Sequence, residues 1–171
     1  MKKNYIPTWY FPDLLKLNPE HFLQKNYHTI FCDIDNTLCC PYQAHPDPEV
    51  IDWILALKKQ NIQVILISNN NEKRVSTFAA SLDVPYLYKA KKPSCKKLLD
   101  KIEKLQLQKS SVLLIGDQIM TDVLCANKAK VDVLLVNRKT KKDQWITFIP
   151  RRLDIFIRKR LKKNNLLRNF I

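Results

Sequence analysis

A doubly wound, parallel α/β sheet is what this sequence predicts, on three observations. Short, nearly unbroken apolar runs at 30–32, 62–67, 112–115 and 131–136 have the character of strands buried on both faces. Helical patterns lie between them, and strands alternating with helices make parallel crossovers. Polar residues gather directly after the strands, where open α/β sheets bind ligands.

The elements follow in order. Residues 7–26 carry helix signals: Asn18, Pro19 and Glu20 read as an N-cap, an N1 proline and an acidic first turn of a helix running to about 25. Phe11, Leu14, Leu15, Leu17 and Phe22 are expected at the edge of the core. The opening strand leads to two aspartates one residue apart, Asp33 and Asp35, and to the turn formers Asn36 and Thr37. After an irregular stretch at 38–46, Asp47-Pro48-Glu49 opens a helix to about 60, with Val50, Ile51, Ile54, Leu55 and Leu57 as its apolar side. The strand at 62–67 runs into Ser68-Asn69-Asn70-Asn71, which caps a helix at 72–82. A strand at 85–90, a loop through Lys91-Lys92-Pro93 and a helix capped by Ser94 and reaching 107 come next. The strand at 112–115 ends in Gly116-Asp117-Gln118, and a short helix at 120–129 carries Thr121 and Asp122 in its first turn. The last strand is 131–136. From 151 to 163 a helical pattern puts Leu153, Phe156, Ile157 and Leu161 on one side, with basic residues elsewhere.

A length of 171 residues suits one full-sized core, and 46% hydrophobic residues is ordinary for a globular chain. We divide the chain into a domain at 1–150 and a basic amphipathic tail at 151–171. No apolar run reaches about 18 residues, so no transmembrane helix is expected. The start, Met1 to Pro7, is basic but lacks an apolar signal core, which points to the cytoplasm. Five cysteines without a framework spacing fit reduced thiols. Gly116 is the one glycine, which excludes Gly-rich phosphate loops. Charge is placed unevenly. Residues 1–137 hold 18 Lys/Arg against 14 Asp/Glu, whereas 138–171 hold 12 against 2, so +10 of the net +14 lies in the tail. Such a tail seeks phosphates, on nucleic acid or on an anionic membrane surface.

Four strand ends carry the chemistry: Asp33/Asp35, Ser68/Asn69, Lys92 and Asp117/Asp122. Bare carboxylates are not tolerated at the end of a buried strand unless a cation pairs with them. Singly, Ser68 reads as a cap, Lys92 as a loop lysine and Asp122 as a helix-start acid. Jointly they suit phosphoryl transfer through an aspartyl-phosphate. Asp33 would be the nucleophile, since a carboxylate attacks at neutral pH without losing a proton. Asp35 would protonate the leaving alcohol and then deprotonate the attacking water. Carboxylate and phosphate repel, so a hard divalent cation, Mg²⁺, is called for between them. Asp33 and Asp117 would hold it with side-chain oxygens, Asp35 with its backbone carbonyl, and Asp122 would orient the shell. Ser68 and Asn69 would donate hydrogen bonds to the phosphoryl group, and Lys92 would neutralise its charge.

The order Asp-x-Asp-x-Thr, strand-end Ser, Lys-Pro, Gly-Asp-x-x-x-x-Asp resembles the haloacid dehalogenase superfamily of phosphatases. Within its subclass IIIA the chain is similar to the YqeG-type family. The resemblance is carried by Phe11-Pro12-Asp13, by Asp33-Ile34-Asp35-Asn36-Thr37-Leu38, by 68–75, by Tyr88-Lys89-Ala90-Lys91-Lys92-Pro93 and by 116–123. It covers nearly the whole chain and weakens after about 150. It implies a Rossmann-like core, Mg²⁺ dependence and the residue roles just given. The family includes enzymes that dephosphorylate phosphatidylglycerophosphate to phosphatidylglycerol, so that reaction is expected here.

Spacing bears on substrate size. Thr37 to Ser68 has room for one loop and one helix, and Ser68 to Lys92 for one helix and one short strand. Neither gap holds a cap domain, so a capless site is expected, open to a large or surface-presented substrate. The partner expected first is an anionic phospholipid, with peripheral membrane association through the tail and its Trp145, Phe148, Phe156 and Leu161. The alternatives are a soluble nucleotide, sugar phosphate or phosphoprotein substrate, and, in another class, RNA or ribosome binding by the tail. Cys39, Cys40 and His45 lack the paired clusters and the fourth ligand of a zinc site, so they are expected to be structural or incidental.

Overall fold

A computed structural model describes residues 3–140 and 148–171. Six parallel strands form one sheet: β1 (Trp9–Phe11), β2 (Thr29–Cys32), β3 (Gln63–Ile67), β4 (Tyr86–Leu87), β5 (Val112–Gly116) and β6 (Asp132–Val136). Their order across the sheet is β1-β6-β5-β2-β3-β4. The helices are α1 (Pro19–Leu23), α2 (Pro48–Lys59), α3 (Glu72–Ala80), α4 (Lys96–Lys104), α5 (Leu124–Ala129) and α6 (Phe148–Lys163). None of the described helices is long and apolar enough to cross a membrane.

The unbroken apolar runs have the cause expected of them. Alternate residues of one strand enter different cores: Ile30, Cys32, Leu113 and Ile115 lie in one cluster, Phe31, Val112 and Leu114 in the other. With both faces covered, no position along the strand favours a polar side chain. The chain leaves β2 towards β3 and β4, then returns to place β5 on the other side of β2. The two directions part between β2 and β5, and the crevice beyond their carboxyl ends is where such sheets bind ligands.

Residues 7–26 are not wholly helical, as their signals suggest. Trp9–Phe11 is an edge strand paired in parallel with β6, with Trp9 opposite Leu134 and Phe11 opposite Val136. Three residues are too few to show a period of two, which hides the strand in the sequence. Side chains pin it: Thr8 Oγ1 donates to Asp132 Oδ1 at 3.0 Å, and Tyr27 Oη donates to Asp132 Oδ2 at 2.7 Å. The strand expected at 85–90 shortens to Tyr86–Leu87, because Lys89 and Lys91 take left-handed backbone with φ of 44° and 57°. The helix expected from Ser94 begins at Lys96 and ends at Lys104.

The basic stretch packs on the domain, in a register different from the expected stripe. Ile157 and Leu161 are buried among the residues of the second cluster, while Leu153 and Phe156 are exposed. The inward face is Asp154, Ile157 and Leu161, one helical stripe with an acid in it. Trp145 and the Phe148 side chain lie outside the described residues. Past α6 the chain runs beside β1, where Tyr10 N donates to Arg168 O at 2.7 Å and Phe170 N donates to Tyr10 O at 3.1 Å. The Phe170 ring is fully buried, with ring centroids of Phe22, Trp9 and Tyr27 at 5.2, 5.9 and 6.4 Å. Phe170→Ala is therefore expected to cost about 3–5 kcal/mol, read from the urea midpoint. A loss under about 1 kcal/mol would show that the ring is not part of the core.

Candidate active site

Asp33 and Asp117 leave adjacent strands within one residue of the same level. Cys32 is opposite Ile115, and Asp33 N donates to Ile115 O at 2.9 Å. Each aspartate follows its strand directly, so the apolar runs of β2 and β5 set both carboxylates at the crevice. Asp122 comes from the turn Ile119–Val123, a single π turn leading into α5. Turns of this kind recur at functional sites. The carboxylates of Asp33, Asp117 and Asp122 are buried, and one oxygen of each lies within 4.8 Å of the others.

Lys92 reaches this cluster from the loop after β4. Its ammonium donates to Asp33 Oδ1 at 2.6 Å, to Asp122 Oδ1 at 2.6 Å and to Ile67 O at 3.1 Å. Those three acceptors match its three hydrogens. The backbone of Lys92 is gripped by the amide of Asn69: Lys92 N donates to Asn69 Oδ1 at 2.7 Å, and Asn69 Nδ2 donates to Lys92 O at 2.9 Å. Asn69 thus holds the lysine, whereas the sequence suggested a bond to the phosphoryl group. Ser68 Oγ accepts from Asn70 N at 3.1 Å, which leaves its hydroxyl hydrogen to donate.

Asp35 stands apart from the acidic cluster. Its carboxylate takes Arg74 Nη2 at 3.0 Å on Oδ1 and Asn70 Nδ2 at 3.3 Å on Oδ2. Arg74 lies in the first turn of α3, which Asn71 caps by accepting from Arg74 N at 3.0 Å. No role for Arg74 is evident in the sequence, although a base six residues after the strand-end serine is a signal to look for. Thr37, expected only to shape the turn, also donates from Oγ1 to Asp33 Oδ2 at 3.1 Å. Arg74 Nη2 lies 3.2 Å from Cys39 Sγ, and His45 Nδ1 lies 3.1 Å from Ser81 Oγ.

Electrostatics follow from burial. Desolvation raises the pKa of Asp33 above the usual carboxylate range; the Lys92 ammonium opposes this and the Asp122 charge adds to it. Desolvation alone would lower Lys92, but Asp122 and Asp33 outweigh it, so the ammonium stays charged. Three buried carboxylates with one oxygen each within 4.8 Å of the others make a place where a cation is favoured between them. Oxygen donors alone, carried by carboxylates, match a hard divalent ion.

The chain passes close to Asp122 at Gly116. A Cβ there would fall 2.3 Å from Asp122 Cγ. The contact, not an unusual backbone angle, requires glycine, since its φ is not positive. Asp122 in turn accepts from Gln118 N at 3.1 Å and from Lys92. Gly116→Ala is expected to displace Asp122, lower kcat/KM by about 10-fold or more and cost about 1–3 kcal/mol in urea. Activity and stability equal to the parent would show that Asp122 moves without consequence.

The family model described as "Mitochondrial PGP phosphatase" matches residues 1–138. "Probable phosphatase YqeG" of Bacillus subtilis (strain 168) is 33% identical over 163 residues, 95% of each chain. Among solved structures, a hypothetical protein from Xanthomonas campestris superposes with a TM-score of 0.52 at 18% identity, over 81% of this chain and 79% of that one. The cobalt-bound deoxy-D-mannose-octulosonate 8-phosphate phosphatase of Haemophilus influenzae gives 0.50 at 16% identity, over 81% and 90%. At such identities the two structures speak for the fold alone.

Proposed function

The chain belongs to the mitochondrial PGP phosphatase family and is a phosphatase of haloacid dehalogenase type, and from that premise we propose that it releases phosphate from phosphatidylglycerophosphate with Mg²⁺ as cofactor. The observation that carries the chemistry is the buried cluster of Asp33, Asp117 and Asp122 with Lys92 bonded to two of its members.

Asp33 is the nucleophile. One of its oxygens attacks phosphorus as the bond from phosphorus to the lipid glycerol oxygen breaks, and Asp35 gives that oxygen a proton. A water then attacks phosphorus, Asp35 takes its proton, and the acyl-phosphate bond breaks to restore the Asp33 carboxylate and free inorganic phosphate. Thr37 and Lys92 fix the Asp33 oxygens before attack. Lys92 stabilises the charge on the transferring group, Asn69 keeps Lys92 in place, and the Ser68 hydroxyl donates to the phosphoryl oxygens. Asp33, Asp117 and Asp122, with the backbone carbonyl of Asp35, would hold Mg²⁺. Bound there, the ion offsets the repulsion between carboxylate and phosphate.

A lipid substrate is supported by openness. Between Thr37 and Ser68 stands only α2 with its loop and β3, and between Ser68 and Lys92 only α3 and β4, so among the described residues neither insertion point carries a cap domain. The outer face of α6 supports work at a cytoplasmic anionic membrane surface. Phe156 is 61% exposed, and Lys159, Arg160 and Lys163 stand beside it. Apolar and basic groups on one helix face suit an interfacial contact.

The test is phosphate release from phosphatidylglycerophosphate in mixed micelles, against a panel of soluble nucleotides, sugar phosphates and phosphopeptides, with and without Mg²⁺. Selective, Mg²⁺-dependent release from the lipid is expected; a soluble ester hydrolysed with higher kcat/KM would overturn the substrate. The surface is tested separately by flotation. Replacing Lys159, Arg160 and Lys163 with Gln is expected to weaken binding to phosphatidylglycerol vesicles by at least about 10-fold. Equal binding would remove α6 from the membrane reading. Truncation near 150 is unsuitable, since it strips Ile157, Leu161 and Phe170 from the core.

A further inference from the structure

Helix α6 lies beyond the residues that the family model matches, yet its inward face reaches the loop after β5. We propose that Asp154 and Arg158 are positioning residues for the metal site, holding the backbone that joins Asp117 to Asp122. The proposal rests on the metal-site reading above.

Asp154 is the one acid in α6, and it is 7% exposed. A carboxylate buried so deeply requires partners. Its Oδ1 accepts from Ile119 N at 2.5 Å, Met120 N–H adds a second backbone bond, and its Oδ2 accepts from Arg158 Nε at 2.9 Å. Arg158 Nη2 continues the chain of contacts, donating to the carbonyls of Asp117 and Val136, the latter at 3.0 Å. The pair therefore touches the backbone of Asp117, one of the acidic ligands, and of Ile119 and Met120, which lie between it and Asp122.

The position has a physical use. Ile119 and Met120 open the π turn, and the first N–H groups of a helical segment lack acceptors within it. Asp154 supplies the acceptor from another element, with a charge that the segment's positive end favours. Asp122 sits in that same turn, its N–H bonded to Gln118 O at 2.8 Å. Ligands of a metal keep their geometry through such supporting contacts, and losing one typically weakens metal binding by about 10–100-fold.

The experiment is a calorimetric Mg²⁺ titration of the full chain, with thermal unfolding measured alongside. Asp154→Ala is expected to raise the Mg²⁺ dissociation constant by about 10-fold or more. Asp154→Asn keeps an acceptor for Ile119 N and is expected to restore most of the affinity. Leu161→Ala, fully buried on the same helix, controls for loss of packing: a lower Tm with parental Mg²⁺ affinity is expected. Parental affinity in folded Asp154→Ala, or an equal weakening in Leu161→Ala, would overturn the proposal. Should Asp154→Ala not fold, Arg158→Lys is titrated instead; it keeps the charge but not the double grip on Asp117 and Val136, and parental affinity in it would overturn the proposal too. Absence of Mg²⁺ binding by the unsubstituted protein would overturn the metal-site reading itself, and this inference with it.

Discussion

Lys92→Met is expected to abolish measurable turnover and to destabilise the metal-free protein by about 3–5 kcal/mol. The substitution keeps most of the side-chain length and removes the charge. Asp33 and Asp122 then lose a shared donor at 2.6 Å from each, in a place where their side chains are only 10% and 1% exposed. Breaking a buried pair by removing one partner leaves the full desolvation penalty of the other, and here two carboxylates are left. The catalytic loss has a separate source, since the charge on the transferring phosphoryl group loses its cationic partner in a water-poor site. Urea unfolding with and without Mg²⁺ separates the two effects. The stability deficit is expected to shrink when Mg²⁺ is added, because a second cation can then face the carboxylates. The activity deficit is expected to persist. Parental stability without metal, or activity within about 10-fold of the parent, would show that Lys92 is not the counter-charge described here.

Asp33→Asn is expected to lower kcat by at least about 10⁴-fold with the fold intact. An amide has the shape of the carboxylate but does not act as a nucleophile towards phosphorus. Its neighbours tolerate the change. The Asn carbonyl still accepts from Lys92, its NH2 donates to the Thr37 hydroxyl oxygen instead of accepting from it, and one carboxylate fewer in the cluster relieves repulsion from Asp122. Stability within about 1 kcal/mol of the parent is therefore expected. Binding of the lipid is expected to survive, since the groups that recognise it lie elsewhere. Steady-state assay and urea unfolding of the same sample check both halves. Substantial residual turnover would mean that another group attacks phosphorus.

The legible parts of the sequence share one physical cause. β2, β3, β5 and β6 are covered on both faces, which forces unbroken apolar runs and makes the polar residues after each strand stand out. Asp33, Ser68 and Asp117 were readable for that reason, Lys92 by its place in the loop after β4, and the structure brings Asp33, Lys92 and Asp117 to one crevice. What stayed hidden depends on contacts between distant residues. β1 is three residues long and owes its strand character to β6, more than 120 positions away, as the 124-residue separation of Thr8 and Asp132 shows. The grip of Asn69 on Lys92, in which the amide both donates and accepts, spans 23 positions and has no signal in the local sequence. The tail misleads for a further reason. Charge is ordinarily assigned to the outer face of a helix, but Asp154 points inward to satisfy backbone N–H groups, and this rotates the buried stripe away from Leu153 and Phe156.

The central claim is covalent attachment of phosphate to Asp33, and borohydride trapping tests it most directly. The protein is mixed with substrate and Mg²⁺, quenched with borohydride, digested and mapped by mass spectrometry; an acyl-phosphate is reduced to the alcohol, whereas a free carboxylate is not. Conversion of residue 33 to homoserine only when substrate and Mg²⁺ are both present is the predicted result. An unmodified residue 33 during active turnover, or homoserine at another aspartate, would contradict it.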